Sequence, residues 1–134
     1  MHVQPYLNFD GRREEALDFY QPAIGAKVRM LMRWKDSPDQ SMCTPENANK
    51  VMHSQFQVGD TTVMASDGRN TGKPNFHGIA LSISAGSEAE AARLFAGLTA
   101  GGQVQMPLGR TFFSPRFGML TDKFGVGWMI VVGQ

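Results

Sequence analysis

The sequence has a single cysteine, Cys43, among 134 residues. That excludes an internal disulfide and fits a reducing compartment, so a cytoplasmic protein is expected. It has no long hydrophobic run. The longest, Trp128 to Val132, is five residues, far short of a membrane span. No charged-then-apolar signal pattern opens the chain. It also lacks an excess of either charge: 13 Lys and Arg stand against 12 Asp and Glu. Such a balance offers no basic field for a nucleic-acid backbone and no polybasic patch for a membrane. What is there is globular, with 42% apolar and 19% charged residues, enough for one compact domain without a covalent staple. Fifteen glycines exceed the usual share of about 7% and suggest many turns between short strands. Nine methionines suggest an adaptable apolar interior or pocket, because thioether chains repack easily.

Periodicity gives the elements. Val3 to Phe9 alternates, with Val3, Pro5, Leu7 and Phe9 on one side and Gln4, Tyr6 and Asn8 on the other; period two means a half-buried strand. Ala16, Leu17, Tyr20, Ala23 and Ile24 recur at helical steps, with Asp10 as the expected N-cap and Gly25 as the stop. Ala26 to Lys35 reads as a second strand, with Val28, Met30, Met32 and Trp34 on one face. Asp36 to Lys50 is polar, contains proline and reads as a mobile loop. Met52 to Val58 and Thr61 to Ser66 flank Gly59-Asp60, a tight hairpin. The second half repeats the order. His77 to Ser84 reads as a strand. Ser87 and Glu90 form a capping box ahead of Ala91, Leu94, Phe95 and Leu98. Gly101-Gly102 ends that helix, Gln103 to Leu108 follows, and Arg116 to Asp122 and Val126 to Val132 flank a three-residue link.

The chain therefore reads as one α+β domain over residues 1–134 built from two β-α-β-β-β modules, about 1–70 and 76–134. One helix covers one face of a four-stranded sheet, leaving the other for a twin, a ligand or a partner. A concave cleft between two curved mixed sheets is the expected small-molecule site.

With PYLNFDGRREEALDFY near the start, MHSQFQVGD in the middle and FGMLTDKFGVGWMI near the end, the whole chain resembles the vicinal oxygen chelate superfamily, and within it the PhnB-like branch. That superfamily includes glyoxalases, extradiol dioxygenases and bleomycin-resistance proteins. The resemblance implies paired βαβββ modules, a cleft on the concave sheet face and a homodimer. It does not imply one reaction. PhnB-like sequences often carry the label 3-demethylubiquinone-9 3-methyltransferase, yet no glycine-rich nucleotide loop stands between a parallel strand and a helix here.

Metal-using relatives hold one divalent ion with His, Gln and Glu side chains from the first and last strand of each module. The matching positions resemble Gln4, Met64 or Ser66, Gly78 and Met129, of which only Gln4 coordinates well; a one-residue shift brings His77. All five glutamates fall in expected helices or the long loop, and His2, His53 and His77 lie in separate segments. No metal and no cofactor is expected, since a catalytic site needs at least about three protein donors.

The hairpin sorts by parity instead. Phe56, Val58, Val63 and Ala65 pack on the helix, while His53, Gln55, Gln57, Thr62, Met64 and Ser66 face the cleft. With Gln4, Tyr6 and Asn8 they give a wall with hydrogen-bonding groups over an apolar floor. The second hairpin adds Phe117, Met119 and Met129, and the loop aromatics Phe112 and Phe113 suggest a lid or a dimer contact. His53 is the candidate general base, since imidazole is the side chain suited to acid-base work near neutral pH; a strand histidine bonded to a neighbour is the plainer reading. Asp67 is either a functional carboxylate or a turn former. Arg29 and Arg33 read as guards of an edge strand, and Cys43 as incidental. The expected function is small-molecule binding without a metal. The alternatives are a metal-independent enzyme using His53 and, behind it, a metal-dependent lyase or dioxygenase.

Overall fold

The computed structural model describes residues 1–68 and 73–133. The chain divides into two compact units, Met1–Pro74 and Asn75–Gln134. In the first, the elements run β1 (Tyr6–Asn8), α1 (Arg13–Ile24), β2 (Lys27–Arg33), a 3₁₀ turn (Trp34–Asp36), β3 (Val51–Val58) and β4 (Thr61–Ser66). The second runs β5 (Ala80–Ala85), α2 (Glu88–Thr99), β6 (Gln103–Gly109), β7 (Phe117–Thr121) and β8 (Gly127–Val132). Each unit forms its own four-stranded sheet, ordered β1-β4-β3-β2 and β5-β8-β7-β6. In both sheets the first strand lies parallel to the last, and the other pairs are antiparallel. This is the α+β fold of two βαβββ modules.

Each helix buries one stripe on its own sheet. Ala16, Leu17, Tyr20, Ala23 and Ile24 of α1 are buried with Leu7, Phe9, Phe56, Val63 and Ala65. Tyr20 is at the centre, its ring 6.2 Å from that of Phe56 and 6.4 Å from that of Phe9. Ala91, Leu94 and Leu98 of α2 are buried with Leu120, Trp128 and Ile130. The hairpin pairs Val58 with Thr61 and continues to Ser54 with Ala65, the register that parity requires.

The start of α1 differs from expectation. Asp10 and Gly11 both take left-handed backbone angles, with φ of 50° and 87°, and the helix begins only after Arg12, which makes no side-chain cap bond. The cap comes from across the unit. Asp67 is buried, and its Oδ1 accepts the Arg13 N–H at 2.8 Å while Oδ2 accepts the Val51 N–H at 2.6 Å. A carboxylate at this end also suits the helix dipole. In α2 the Ser87 Oγ accepts the Glu90 N–H, but the Glu90 carboxylate reaches back to Gly86, one residue beyond the expected partner.

Three strands also differ. β1 is shorter than the alternation, although the Pro5 carbonyl still accepts from Met64 N–H and Phe9 N–H donates to the Ser66 carbonyl. β5 begins at Ala80, because Gly78 turns the chain with φ of 86°; His77 lies in that turn and Ile79 is exposed. β2 carries a bulge at Arg29: Val28 pairs with Phe56, but Met30 pairs with Gln55. The extra residue flips the faces. Val28 and Leu31 therefore share the helix side with Phe56 and Ser54, and Met30 and Met32 share the other side with Gln55 and His53. The 36–50 segment, expected to be a mobile loop, folds into successive turns. Lys35 N–H donates to the Ala48 carbonyl, and the Asn47 side chain bonds both Thr44 N–H and the Met42 carbonyl.

β2 is an edge strand, as its charges suggest. Its Arg33 bonds Glu14 and the Asn49 carbonyl. That hydrogen bond, more than charge alone, holds the Glu14 carboxyl below its ordinary value. Its stabilisation is therefore present above the ordinary carboxylate range and lost as pH falls through it. The Glu14 side chain is 56% exposed, so solvent screening keeps the pair small. Glu14→Gln is expected to cost less than about 1 kcal/mol at pH 7. The difference from wild type should vanish in urea unfolding at acid pH.

Candidate small-molecule site

The side of the first sheet away from α1 carries residues in rows set by the register. Tyr6 pairs with Met64, Met64 with Gln55, and Gln55 with Met30. Asn8 pairs with Ser66 on one half of the next row, and Met32 with His53 on the other. Gln57 pairs with Thr62 and Lys27 in the last. In the first of these rows polar groups and thioethers alternate across all four strands.

Tyr6 and His53 are joined. The Tyr6 hydroxyl lies 2.9 Å from His53 Nδ1, with the ring centroids 5.5 Å apart and the planes 29° apart. Two arrangements of protons satisfy this contact. If tyrosine donates, His53 presents an Nε2–H. If Nδ1–H donates, Nε2 is a free base and the tyrosine proton is free for a ligand. Ser66 is already committed, donating to Asn8 Oδ1 at 2.7 Å and accepting from Gly68 N–H at 3.1 Å. At the sheet edge the bulged Arg29 donates through Nε to Gln57 Oε1 at 2.8 Å, so Arg29 borders this face while Arg33 turns to the helix side.

Beside the Asn8–Ser66 pair lies a cavity of about 600 Å³. Tyr6, Asn8, Ser66 and Gly68 form its sheet wall. Trp34, Ser37, Asp39 and Met42, from the 3₁₀ turn and the segment after it, and Met52 complete the lining. Met52 is available because a second irregularity pairs Met32 with His53 but Arg33 with Val51. Val51 then turns inward, fully buried, and Met52 is left over. Trp34 is 7% exposed, and its indole N–H is buried without a partner among the described residues.

The structure thus gathers Tyr6, Asn8, Ser66, Met64, Gln55 and His53 on one face. Gln4 precedes β1, is exposed and does not line the cavity. Phe117, Met119 and Met129 share one face of the second sheet, where Met119 pairs with Met129. Phe113 stacks edge-on against Phe117 at 5.0 Å and against the fully exposed Phe112 at 5.1 Å. Trp34, Ser37, Asp39, Met42 and Met52 were not expected at the site. Two bulges and a turn bring them there, and the methionine excess was the one signal that pointed to such a pocket. Asp67 is spent on backbone donors inside the unit.

A metal of the superfamily type does not fit these residues. Among the described residues no three His, Cys, Asp or Glu side chains come together to hold an ion. Gly78 offers no donor, His77 lies in a turn, and Ser66 is bonded within its own strand pair.

The fold belongs to the vicinal oxygen chelate class. A glyoxalase-related enzyme from Fulvimarina pelagi shares it, with a TM-score of 0.67 over 99% of this chain and 88% of that one, at 17% identity. A sequence model described as 3-demethylubiquinone-9 3-methyltransferase matches residues 1–131, and the chain belongs to that family, the PhnB-like branch. It is 31% identical to Protein YjdN of Escherichia coli (strain K12), over 98% of this chain and 95% of that protein. The crystal structure of PA1353 from Pseudomonas aeruginosa aligns at a TM-score of 0.87 and 38% identity, covering 100% and 98% of the two chains. A putative 3-demethylubiquinone-9 3-methyltransferase, PhnB protein, from Bacillus cereus aligns at 0.82 and 26%, covering 99% and 100%. Among the described residues no helix is long and apolar enough to cross a membrane.

Proposed function

We propose that this protein binds a small organic molecule, without a metal, on the open face of its first sheet and in the adjoining cavity. The observation that carries this reading is the cavity itself. Its volume is that of ordinary ligand sites, and its lining mixes aromatic and thioether surface with a few polar groups. Methyl transfer is set aside. The links from β1 to α1 and from β5 to α2 hold one glycine each, Gly11 and Gly86, with no glycine-rich loop for a nucleotide-type donor. The same reading takes a homodimer, which sedimentation would show as twice the 14.7 kDa chain mass.

A second reading rests on the Tyr6–His53 contact. With Nε2 free and the tyrosine proton available, the pair supplies a base at Nε2 and an acid at the Tyr6 hydroxyl, which lies 2.9 Å from Nδ1 of the same ring. Wild type and His53→Ala, each incubated with a desalted metabolite extract followed by mass spectrometry, separate the two. Binding alone predicts that neither protein consumes a compound and that the variant holds its ligand less tightly. Consumption by wild type, slowed about 10²- to 10⁴-fold in the variant with binding retained, would establish the enzyme instead.

A further inference from the structure

We infer that the cavity between the first sheet and the 34–42 segment selects an organic ammonium ion with an apolar body over an oxyanion, an inference that rests on the binding reading above. Most of its polar groups are already spent. The Tyr6 hydroxyl is held by His53. Ser66 is held by Asn8 and Gly68. The Ser37 hydroxyl donates to the Asp39 carbonyl and accepts the Asp39 N–H. Among the described lining residues the one charged side chain is Asp39, and no lysine or arginine is among them. One oxygen of Asp39 accepts the Ser41 N–H at 2.9 Å, and this backbone bond keeps its carboxyl ionised to lower pH than usual. The exposed carboxylate stands in the cavity lining.

The rest of the wall suits a cation. Its lining includes two aromatic rings, Tyr6 and Trp34, and two thioethers, Met42 and Met52. Quaternary ammonium groups are recognised by such aromatic surroundings, and a carboxylate at the rim adds attraction. Among the described lining residues an oxyanion would meet Asp39 and no countercharge. Trp34 lines this wall while more than nine-tenths buried, so its indole signal reports occupation of the cavity.

The test compares two probes of similar shape, benzyltrimethylammonium and benzylphosphonate, titrated into ¹⁵N-labelled protein. The Trp34 indole signal is assigned through Trp34→Phe. The cation is expected to shift the Trp34 indole together with the Asn8 and Ser66 amides, and to bind more tightly than the phosphonate. Asp39→Asn, an exposed loop change, should weaken the cation about threefold to fivefold and leave the phosphonate no weaker. Equal or tighter phosphonate binding, or no effect of Asp39→Asn, overturns the inference. If neither probe shifts Trp34 while a metabolite extract does, the ligand class is wrong and the binding site stands. If the extract does nothing either, the binding reading falls as well.

Discussion

Asp67→Ala is expected to lower the unfolding free energy by about 3–5 kcal/mol, read as a shift of the urea midpoint at pH 7. The carboxylate closes three accounts at once. It accepts the buried N–H groups of Arg13 and Val51, each costing about 1–3 kcal/mol when left without an acceptor. It is also the strongest opposing charge on the Arg13 guanidinium. Arg13 is 1% exposed, and burial is the main reason its pKa is lowered, with Asp67 working against that shift. Arg13 donates through Nε to Ser54 Oγ at 2.7 Å, and its Nη2 has no partner among the described residues. Without Asp67 this charge would sit under the sheet with little to compensate it. Asp67→Asn keeps one acceptor and should lose about half as much. A loss under about 1 kcal/mol for the alanine variant would show that Asp67 does not hold the unit together and would reopen its reading as a site carboxylate.

The second large effect is expected at Asp122. This buried carboxylate accepts Phe124 N–H at 2.8 Å, Val126 N–H at 3.1 Å and Trp128 Nε1–H at 2.8 Å. It therefore fixes both the β7–β8 link and the tryptophan packed beneath it. Asp122→Ala should cost about 3 kcal/mol or more, since three donors lose one acceptor. In a double-mutant cycle with Trp128→Phe the two losses should not add, because both variants break the same bond. Strict additivity would mean that the indole contact contributes nothing.

The two aspartates also show what was legible in the sequence. Parity alone placed Phe56, Val63 and Ala65 against the helix and His53, Gln55 and Met64 on the other side, because a hairpin closed at Gly59-Asp60 admits one register. The stripes of α1 and α2 were equally plain. The long-range cap was not. Asp67 lies far from Arg13 in sequence, and a local rule chose Asp10, whose backbone then turned left-handed. The bulges were hidden for a related reason. Nothing in Lys27 to Arg33 marks Arg29 as the extra residue, and the flip of Met30 and Met32 onto the His53 face follows only from pairing with β3. The cavity depended on the segment least readable by periodicity. Trp34 looked like the end of a strand, and Ser37, Asp39 and Met42 looked like loop. Their convergence needs the 3₁₀ turn and the internal bonds of Asn47.

Uptake of a small molecule on the exposed face of the first sheet and in its cavity, as proposed, is read directly by a ¹⁵N–¹H titration of the full chain with a desalted metabolite extract. Shifts clustered at Tyr6, Asn8, His53, Met64, Ser66 and the Trp34 indole, and suppressed when Ser66→Trp fills the cavity, are the result expected. Shifts that avoid these residues, or that persist unchanged in Ser66→Trp, would contradict it.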